Sequence, residues 1–456
     1  MKLFSLFFVV LGASANLTDK TQCPTTCVED GSVDYFPEKV EFEYSKCLRV
    51  EYYDTYKVSY LDCGPGDIPE TVLYVQCGCS VPSSITANTT ITVPAGNYGI
   101  QSTSNIAYLH YLGMLGQMKL EIEFSSDWYP YTFTDTCHKD NVDSGVTTQR
   151  NQDPQTDDGG LDTSGDNVEF VFHEGYYAKG NLTKPITVTE YLETDLLAQI
   201  EWIKFFALPF NLEFEADEVF DEIKGTMDCI GANTATFKDL YDTEYKTLTV
   251  MTAAYQPWSS GWVVSASCDV SKDIYCDVFE DLGVTKIGKD YGFTVLNNTE
   301  FEEFGAKIDV WIYTDDFDPE AMVKTYPFLQ NFDSVKEKRV YDVAKRTMPD
   351  WYTSRTMESD ALYEDFAKVS HGKGFAFLDG QGTEHDYVFL RDVFTEKSID
   401  PLATPCPGAK KVSLAEQCIV FSEIELAGGA QKHSRSVLFF VTFGAVVIST
   451  LSALLA

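Results

Sequence analysis

Two tryptophans on either side of a run of small residues form the segment of this chain whose residue types most clearly suggest a chemical role. Trp258 and Trp262 flank Ser259-Ser260-Gly261, directly after an apolar segment over 247–252 that is typical of a β-strand. Flat aromatic rings suit macrocycles and catecholates as partners, and they are rarely left exposed in a loop without a use. We expect both rings to contact a ligand.

Hydroxyl groups follow another predicted strand. Tyr98, Ser102 and Thr103 come after an apolar strand that ends at Val93, and they precede a predicted helix over 104–115. Ser and Thr hydroxyls beside the start of a helix are suited to an anionic or carbonyl-rich group. We predict ligand contacts for these three residues, with a plain helix cap as the alternative for the hydroxyls.

Three more aromatic residues lie at the ends of predicted strands. Trp128 and Tyr129 follow a strand over 120–124, and Tyr313 closes a strand over 310–313. Because ligands of open α/β sheets bind outside the strand ends, we predict that these residues contact the ligand as well. Packing of the aromatic pair against its own lobe is the alternative.

Recognised catalytic and metal-binding patterns are missing from the sequence. It contains no Gly-x-Ser-x-Gly elbow, no His-Glu-x-x-His and no G-x-x-x-x-G-K-[ST] nucleotide loop, and its 6 histidines do not cluster at ligand spacing. We therefore predict no catalytic residues, no metal ligands and no resident cofactor. The expected activity is binding, so the chain is not expected to be an enzyme.

The composition is that of an acidic globular protein. Among 456 residues, 70 are Asp or Glu and 34 are Lys or Arg, which gives a net charge of −36. Phosphate backbones attract the opposite sign, so nucleic acid is excluded as a partner. Hydrophobic residues at 44% and aromatic residues at 14% are sufficient for packed cores, and the chain is not of the disordered class.

Both ends of the chain carry the marks of export. An apolar stretch and Ala13-Ser14-Ala15 predict a signal peptide over 1–15, and the uncharged tail over 437–456 follows a short polar spacer. We interpret 431–456 as the removed signal for a glycosylphosphatidylinositol anchor, with a single-span membrane helix as the alternative. The expected location is the extracellular face of the plasma membrane.

Cysteines and glycosylation signals agree with export. The 12 cysteines fit a compartment where disulfides persist, and Cys406–Cys418 and Cys268–Cys276 are the predicted local bridges. N-x-Thr signals make the chain a candidate glycoprotein. They begin at Asn16, Asn88, Asn181 and Asn297.

Alternation of short apolar segments with helical ones predicts parallel sheets flanked by helices. Early strands are predicted over 40–44, 48–52, 57–61 and 71–76, and a polar loop over 135–167. The longest helical signal runs over 189–210 and resumes over 216–224, with Pro209 at the break. A second set of strands and helices follows it.

These segments resemble the class III periplasmic substrate-binding proteins, which capture ferric siderophores, haem, cobalamin and some metal ions. The resemblance runs from about Val40 to Arg391, and five stretches carry it through their order and spacing. They are 50–60; Val93-Pro94 with Ser102-Thr103 and Leu112-Gly113; Glu201-Trp202-Ile203-Lys204-Phe205; 309–312; and Arg339-Val340-Tyr341 with Trp351-Tyr352 and a helix ending near His371.

The resemblance implies two Rossmann-like lobes with parallel sheets, joined by one long α-helix, with the ligand held between the lobes. The implied boundaries are an N-terminal lobe over 16–188, a linking helix over 189–227, a C-terminal lobe over 228–400 and a cysteine-containing tail over 401–430. The anchor departs from the bacterial pattern and implies a eukaryotic cell surface.

The function that the resemblance implies is capture of a ferric siderophore, haem or cobalamin for uptake, with a surface reductase or an endocytic partner in place of the bacterial permease. The alternative is an adhesion or structural surface glycoprotein that keeps the fold and has no transport ligand.

Overall fold

The computed structural model describes most of the chain between its two ends. The described residues are 23–62, 69–123, 135–151, 162–174, 181–241, 248–290, 292–371 and 386–403, with Cys406, Lys410, Val412 and Cys418. Within these ranges, the helices are all too short or too polar to cross a lipid bilayer.

The described residues form two compact α/β units. The first unit comprises the chain up to Asp221 with two later segments, Tyr352–Met357 and Pro401–Lys411. The second comprises Glu222–Trp351 and Glu358–Asp400, together with the described residues from Val412 onward. Each unit is built on a sheet whose central strands are parallel, which agrees with the fold class predicted from the sequence.

The first unit begins with a four-stranded sheet. Its strands are β1 (Leu48–Tyr52), β2 (Tyr56–Leu61), β3 (Glu70–Gln76) and β4 (Thr89–Val93). The first three pair antiparallel, and β4 joins β3 in parallel. Val58, Leu73 and Val75 form a buried cluster on this sheet, because alternate residues of paired strands share a face.

A five-stranded parallel sheet follows in the same unit. Its strands are β5 (Tyr98–Ile100), β6 (Met118–Glu123), β7 (Thr148–Asn151), β8 (Phe170–Glu174) and β9 (Pro185–Val188). Their order is β7-β6-β5-β8-β9, so the chain builds outward from β5 on one side and then returns to add strands on the other. This doubly wound order places a topological switch point between β5 and β8, where the carboxyl ends of the strands border a crevice.

Four of the α-helices that the structure describes begin in the first unit. They are α1 (Asn105–Tyr111), α2 (Thr136–Asp143), α3 (Leu196–Ala207) and α4 (Glu213–Tyr241). The helix predicted from residue 189 begins later because Asp195 caps α3 and accepts the amide of Ala198 at 3.0 Å. It ends near Pro209 as predicted, and Asn211 turns the chain in the left-handed region, at φ 59°.

Helix α4 is the long helix that joins the two units along the chain. Its residues up to Asp221 belong to the first unit and those from Glu222 to the second. The segment around Trp202, expected in the linking helix, lies instead in α3 within the first unit. The start of α4 is fastened to β2, since the buried Lys57 ammonium pairs with Glu213 and also donates to Asn211 Oδ1 at 2.9 Å.

The second unit is built on one mixed sheet. Its strands are β10 (Thr249–Gln256), β11 (Gly261–Ser265), β12 (Thr285–Lys286), β13 (Phe293–Leu296), β14 (Val310–Tyr313), β15 (Val340–Asp342) and β16 (Arg391–Asp392). Strands β12, β10, β14 and β15 are parallel, while β11, β13 and β16 add antiparallel. Because β12 and β14 flank β10 on opposite sides, the switch point lies between β10 and β14.

Six helices complete the described part of the second unit. They are α5 (Cys276–Asp281), α6 (Asn298–Gly305), α7 (Pro319–Thr325), α8 (Asp333–Lys336), α9 (Met348–Ser354), whose end belongs to the first unit, and α10 (Ser359–His371). The core on one side of the sheet is aromatic. Trp262 stacks on Phe301 with ring centroids 4.2 Å apart, and Trp311 packs against both rings.

The disulfides correct one of the two predicted pairings. Cys268–Cys276 is present as predicted. Cys406–Cys418 is wrong, because Cys406 bonds to Cys137 and Cys418 bonds to Cys229. Two further bridges fasten the amino-terminal segment to the end of β3, and they are Cys23–Cys77 and Cys27–Cys79. Pairing cysteines by their proximity in the sequence was therefore wrong for the two cysteines of the tail.

Two predicted segments have a different structure. Residues 40–44 do not form a strand, because the amides of Glu43 and Tyr44 donate to the buried carboxylate of Glu201 rather than to a neighbouring strand. The loop expected over 135–167 contains helix α2 and strand β7, since pairing with β6 stabilises a segment whose composition is polar.

Candidate functional site

Serine residues after β5 contact a buried carboxylate at the switch point of the first unit. The Ser102 and Ser104 hydroxyls lie 2.9 Å apart, and Ser104 donates to Glu190 Oε1 at 2.5 Å. Ser104 occupies the cap position of α1 without bonding to the helix backbone. The Ser102 hydroxyl thus contacts Ser104, and the Ser104 hydroxyl does not cap α1. Thr103 is half-buried between them, and its carbonyl accepts the amide of Ile106 at 3.2 Å.

Glu190 follows β9 and is the most perturbed acid at this edge. It is fully buried, and loss of hydration raises the pKa of its carboxyl from 4.5 to about 7, with the hydrogen bond from Ser104 acting in the opposite direction. Helix α3 positions the residue, since the Gln199 side-chain amide donates to the Glu190 carbonyl at 3.1 Å. A carboxyl group of this kind changes its charge near neutral pH.

Glu174 ends β8 on the other side of the switch point. Burial raises the pKa of its carboxyl, and a hydrogen bond with the Ser102 hydroxyl offsets part of that effect. Its negative charge also contributes to the raised pKa of Glu190. The carboxyl ends of β5, β8 and β9 thus bring Ser102, Ser104, Glu174 and Glu190 into one polar cluster, which we call the first-unit edge.

The switch point of the second unit carries Trp258 and Tyr313. Trp258 lies in the turn between β10 and β11, where 61% of its surface is exposed, and its indole N–H donates to Gln256 Oε1 at 3.1 Å. Tyr313 ends β14, and its hydroxyl accepts the amide of Tyr255, at the end of β10, at 3.2 Å. Trp258 and Tyr313 thus come from the two strands that border this switch point.

The acids after β14 order a loop in the second unit. Asp316 pairs with Arg391 at 2.6 Å, and the same guanidinium donates to Asp342 Oδ1 at 3.0 Å. The Asp342 carboxylate also accepts the amide of Phe317 at 2.9 Å, and burial raises the pKa of the Asp315 carboxyl. This network holds the backbone that follows Tyr313.

The remaining predicted site residues lie elsewhere. Tyr98 is fully buried, its ring packs against Phe170, and its hydroxyl donates to the Met114 carbonyl at 3.0 Å. Trp262 is fully buried in the second unit's aromatic core. Tyr313 is likewise a member of that core, at 4% exposed. These three side chains therefore fill cores and are left out of the proposed site. Trp128 and Tyr129 lie outside the described residues.

Glu190 and Glu174 are not among the site residues predicted from the sequence. Strand β9 is only four residues long and is not among the predicted strands, and Glu190 falls inside the helix predicted from residue 189, so its position after a strand end was hidden. An acidic residue directly after an apolar run such as Ile186–Val188 is the signal that could have found it.

One group of side chains of the types that bind metal ions includes a cysteine whose sulfur is already bonded. His110, Asp135 and Cys137 lie close together and are buried. The Cys137 sulfur is in the disulfide with Cys406, and the His110 ring pairs with the Asp135 carboxylate, whose pKa is lowered by that histidine despite its burial. This pair fastens α1 to the start of α2.

An open groove of about 550 Å³ along α7 shares no residue with either switch point.

Comparison with known proteins finds distant similarities. No protein-family model matches the chain. An uncharacterized lipoprotein of Methanocaldococcus jannaschii is 27% identical over 198 residues, which cover 41% of this chain and 42% of the relative. The match therefore spans less than half the length of that relative.

The solved structures with a similar arrangement include periplasmic binding proteins. A possible iron-binding, periplasmic solute-binding protein from Staphylococcus epidermidis is 15% identical with a TM-score of 0.43, covering 61% of this chain and 100% of that one. A periplasmic binding protein from Veillonella parvula is 11% identical with a TM-score of 0.45, covering 72% and 98%. TM-scores this low do not decide a function.

Proposed function

We propose that this protein is an extracytoplasmic solute-binding protein that captures a small metal complex, of the ferric siderophore class, at the carboxyl ends of its parallel strands. The observation that carries the proposal is the placement of polar and aromatic residues at a topological switch point in each unit. In open α/β sheets, the crevice at that point is where ligands bind.

The chemistry of the first-unit edge favours complexes that are neutral or positively charged. The acidic groups there are Glu174 and Glu190, which become negative as the pH rises through their raised pKa values, and the chain as a whole carries a net charge of −36. An anionic complex such as a ferric catecholate is repelled by such a surface, whereas a ferric hydroxamate with a free amine is attracted. The prediction that an anionic group binds beside Ser102 is therefore not retained in the proposal.

The second-unit switch point supplies an aromatic contact. Trp258 exposes most of its ring, and large exposed aromatic rings are characteristic of binding surfaces. Ser102 is the residue that we propose contacts a solute at the first-unit edge, and Trp258 is the candidate contact at the switch point of the second unit.

The disulfides support a location outside the cytoplasm, because such bonds persist in oxidising compartments. The relative from Methanocaldococcus jannaschii is named as a lipoprotein, which agrees with attachment to a membrane. We propose attachment through a lipid anchor at the carboxyl end, with residues 431–456 as its signal.

Native mass spectrometry of the secreted protein tests the proposal. The probes are a cationic ferric hydroxamate, an anionic ferric catecholate, haem and cobalamin, and a one-to-one complex with the hydroxamate is expected. Ser102→Ala should weaken binding about fivefold, as the loss of one hydrogen bond of roughly 1 kcal/mol predicts. Trp258→Ala should weaken it further and remove most ligand-induced tryptophan quenching.

Tyr53→Ala is the matched control, because Tyr53 is an exposed aromatic residue in the turn after β1, in the four-stranded sheet. It should leave binding unchanged. Failure of every probe to bind would contradict the proposal and favour an adhesion or structural role for the protein.

A further inference from the structure

Three buried polar atoms at the first-unit edge have no hydrogen-bond partner among the residues that the structure describes. They are Glu190 Oε2, Asn105 Oδ1 and Thr189 Oγ1. Glu190 is 2% exposed, and Asn105 and Thr189 are fully buried. Buried polar atoms in folded proteins nearly always have a partner, so three orphans at one strand edge indicate a group that completes them.

Glu190 and Asn105 are in direct contact. The Asn105 side-chain amide donates to Glu190 Oε1 at 3.4 Å, and the Ser104 hydroxyl donates to the same oxygen. Thr189 directly precedes Glu190 in the chain. One carboxylate oxygen of Glu190 is therefore occupied from the side of α1, while the other is left for a different partner.

The orphan groups accept hydrogen bonds or bind cations through oxygen. When ionised, the Glu190 carboxylate has no proton to give, the Asn105 carbonyl oxygen only accepts, and the Thr189 hydroxyl serves as a donor or an acceptor. The negative charge of Glu174 acts on Glu190 from the end of β8, so the local field is negative. Nitrogen and sulfur ligands are absent from this set.

We propose that Glu190, Asn105 and Thr189, with Glu174 beside them, hold a hard divalent cation of the calcium class at the first-unit edge. Calcium takes about six to eight oxygen ligands from carboxylates, amide carbonyls, hydroxyls and water, and it tolerates irregular geometry. Magnesium demands a near-ideal octahedron and releases its water reluctantly, so it fits this set less well. The inference rests on the proposed function, since the ion would sit at the edge that we propose binds the solute.

Thermal unfolding of the chelator-treated secreted protein, titrated with calcium chloride or magnesium chloride, tests the site. At calcium concentrations about one hundred times Kd, the Tm of the wild-type protein should rise by roughly 5 °C. Magnesium should give a smaller rise. Glu190→Gln should abolish the calcium shift, and Asn105→Asp, which keeps an oxygen at that position, should retain it.

Asp365→Asn is the matched control. Asp365 is a fully buried carboxylate of the second unit whose oxygens accept the backbone amides of Val388, Phe389 and Leu390, at distances between 2.7 and 3.1 Å. Its substitution should lower the Tm but leave the calcium shift unchanged. Absence of a calcium shift in the wild-type protein, or a full shift in Glu190→Gln, would overturn the inference.

The two proposals fail separately. If the metal complex binds and calcium produces no shift, only the cation site is refuted. If calcium shifts the Tm in the wild type and not in Glu190→Gln, while no metal complex binds, only the proposed function is refuted.

Discussion

Replacement of Glu190 by glutamine should change how the stability of the protein depends on pH. The side chain is fully buried and accepts the Ser104 hydroxyl through Oε1. Glutamine has the same shape, keeps an acceptor for Ser104, and places an amide group where Glu190 Oε2 has no partner. It carries no titratable proton, so the difference between the two proteins isolates the ionisation of Glu190.

The sign and size of the effect follow from the pKa shift. Because burial raises the pKa of Glu190 from 4.5 to about 7, the folded protein holds the proton more tightly than the unfolded chain. The stability contributed by the neutral carboxyl is fully present below pH 4.5 and is lost as the pH rises through about 7. The difference between the two pKa values, 7 minus 4.5, corresponds to roughly 3 kcal/mol at about 1.36 kcal/mol per unit.

Urea unfolding in calcium-free buffer measures this difference. Between about pH 4.5 and pH 8, the free energy of unfolding of Glu190→Gln should increase by roughly 3 kcal/mol relative to the wild-type protein. Other titrating groups are common to both proteins and cancel in the comparison. Parallel pH profiles for the two proteins would refute the conclusion that the Glu190 carboxyl is buried and titrates near neutral pH.

Three further predictions test the placement of individual residues. Trp262→Ala should lower the free energy of unfolding by roughly 3–5 kcal/mol, because it opens a cavity in the aromatic core. Trp258→Ala should change it by less than about 0.5 kcal/mol, and urea unfolding of the two variants measures the difference. Glu201→Gln keeps only one of the two oxygens that accept the amides of Glu43 and Tyr44, so it should cost roughly 2 kcal/mol and speed hydrogen exchange at one of these amides; unchanged exchange at both would contradict those contacts. A peptide map of the unreduced protein should contain Cys137–Cys406 and Cys229–Cys418, and a Cys406–Cys418 peptide would contradict the tail pairing.

Local patterns predicted strands where pairing partners lie nearby in the chain. The segment 48–52 was placed correctly because its Val and Tyr residues pair with β2 in a hairpin. The segment 40–44 has a similar composition, but its amides bind the carboxylate of Glu201, more than 150 residues away in sequence. A side-chain acceptor at that separation leaves no periodic signal.

The two tryptophans after β10 show what strand geometry adds to composition. Trp258 and Trp262 flank the same short run of small residues, and sequence alone gave them the same role. The hairpin turn places Trp258 outside the sheet, while Trp262 is already in β11 with its side chain on the buried face. Burial of Glu190 was also unpredictable, because it depends on α1 and α3 covering the end of β9.

The bond between Cys418 and Cys229 has a mechanical consequence. Cys418 is the last described residue of the chain, and its sulfur is joined to helix α4. Tension applied to the segment beyond it passes through this covalent link into the middle of a long helix. The chain between Cys406 and Cys418 therefore bears little of this tension. If the Cys229–Cys418 bond were reduced, the force would act along the backbone as far as Cys406, which is bonded to Cys137 on α2.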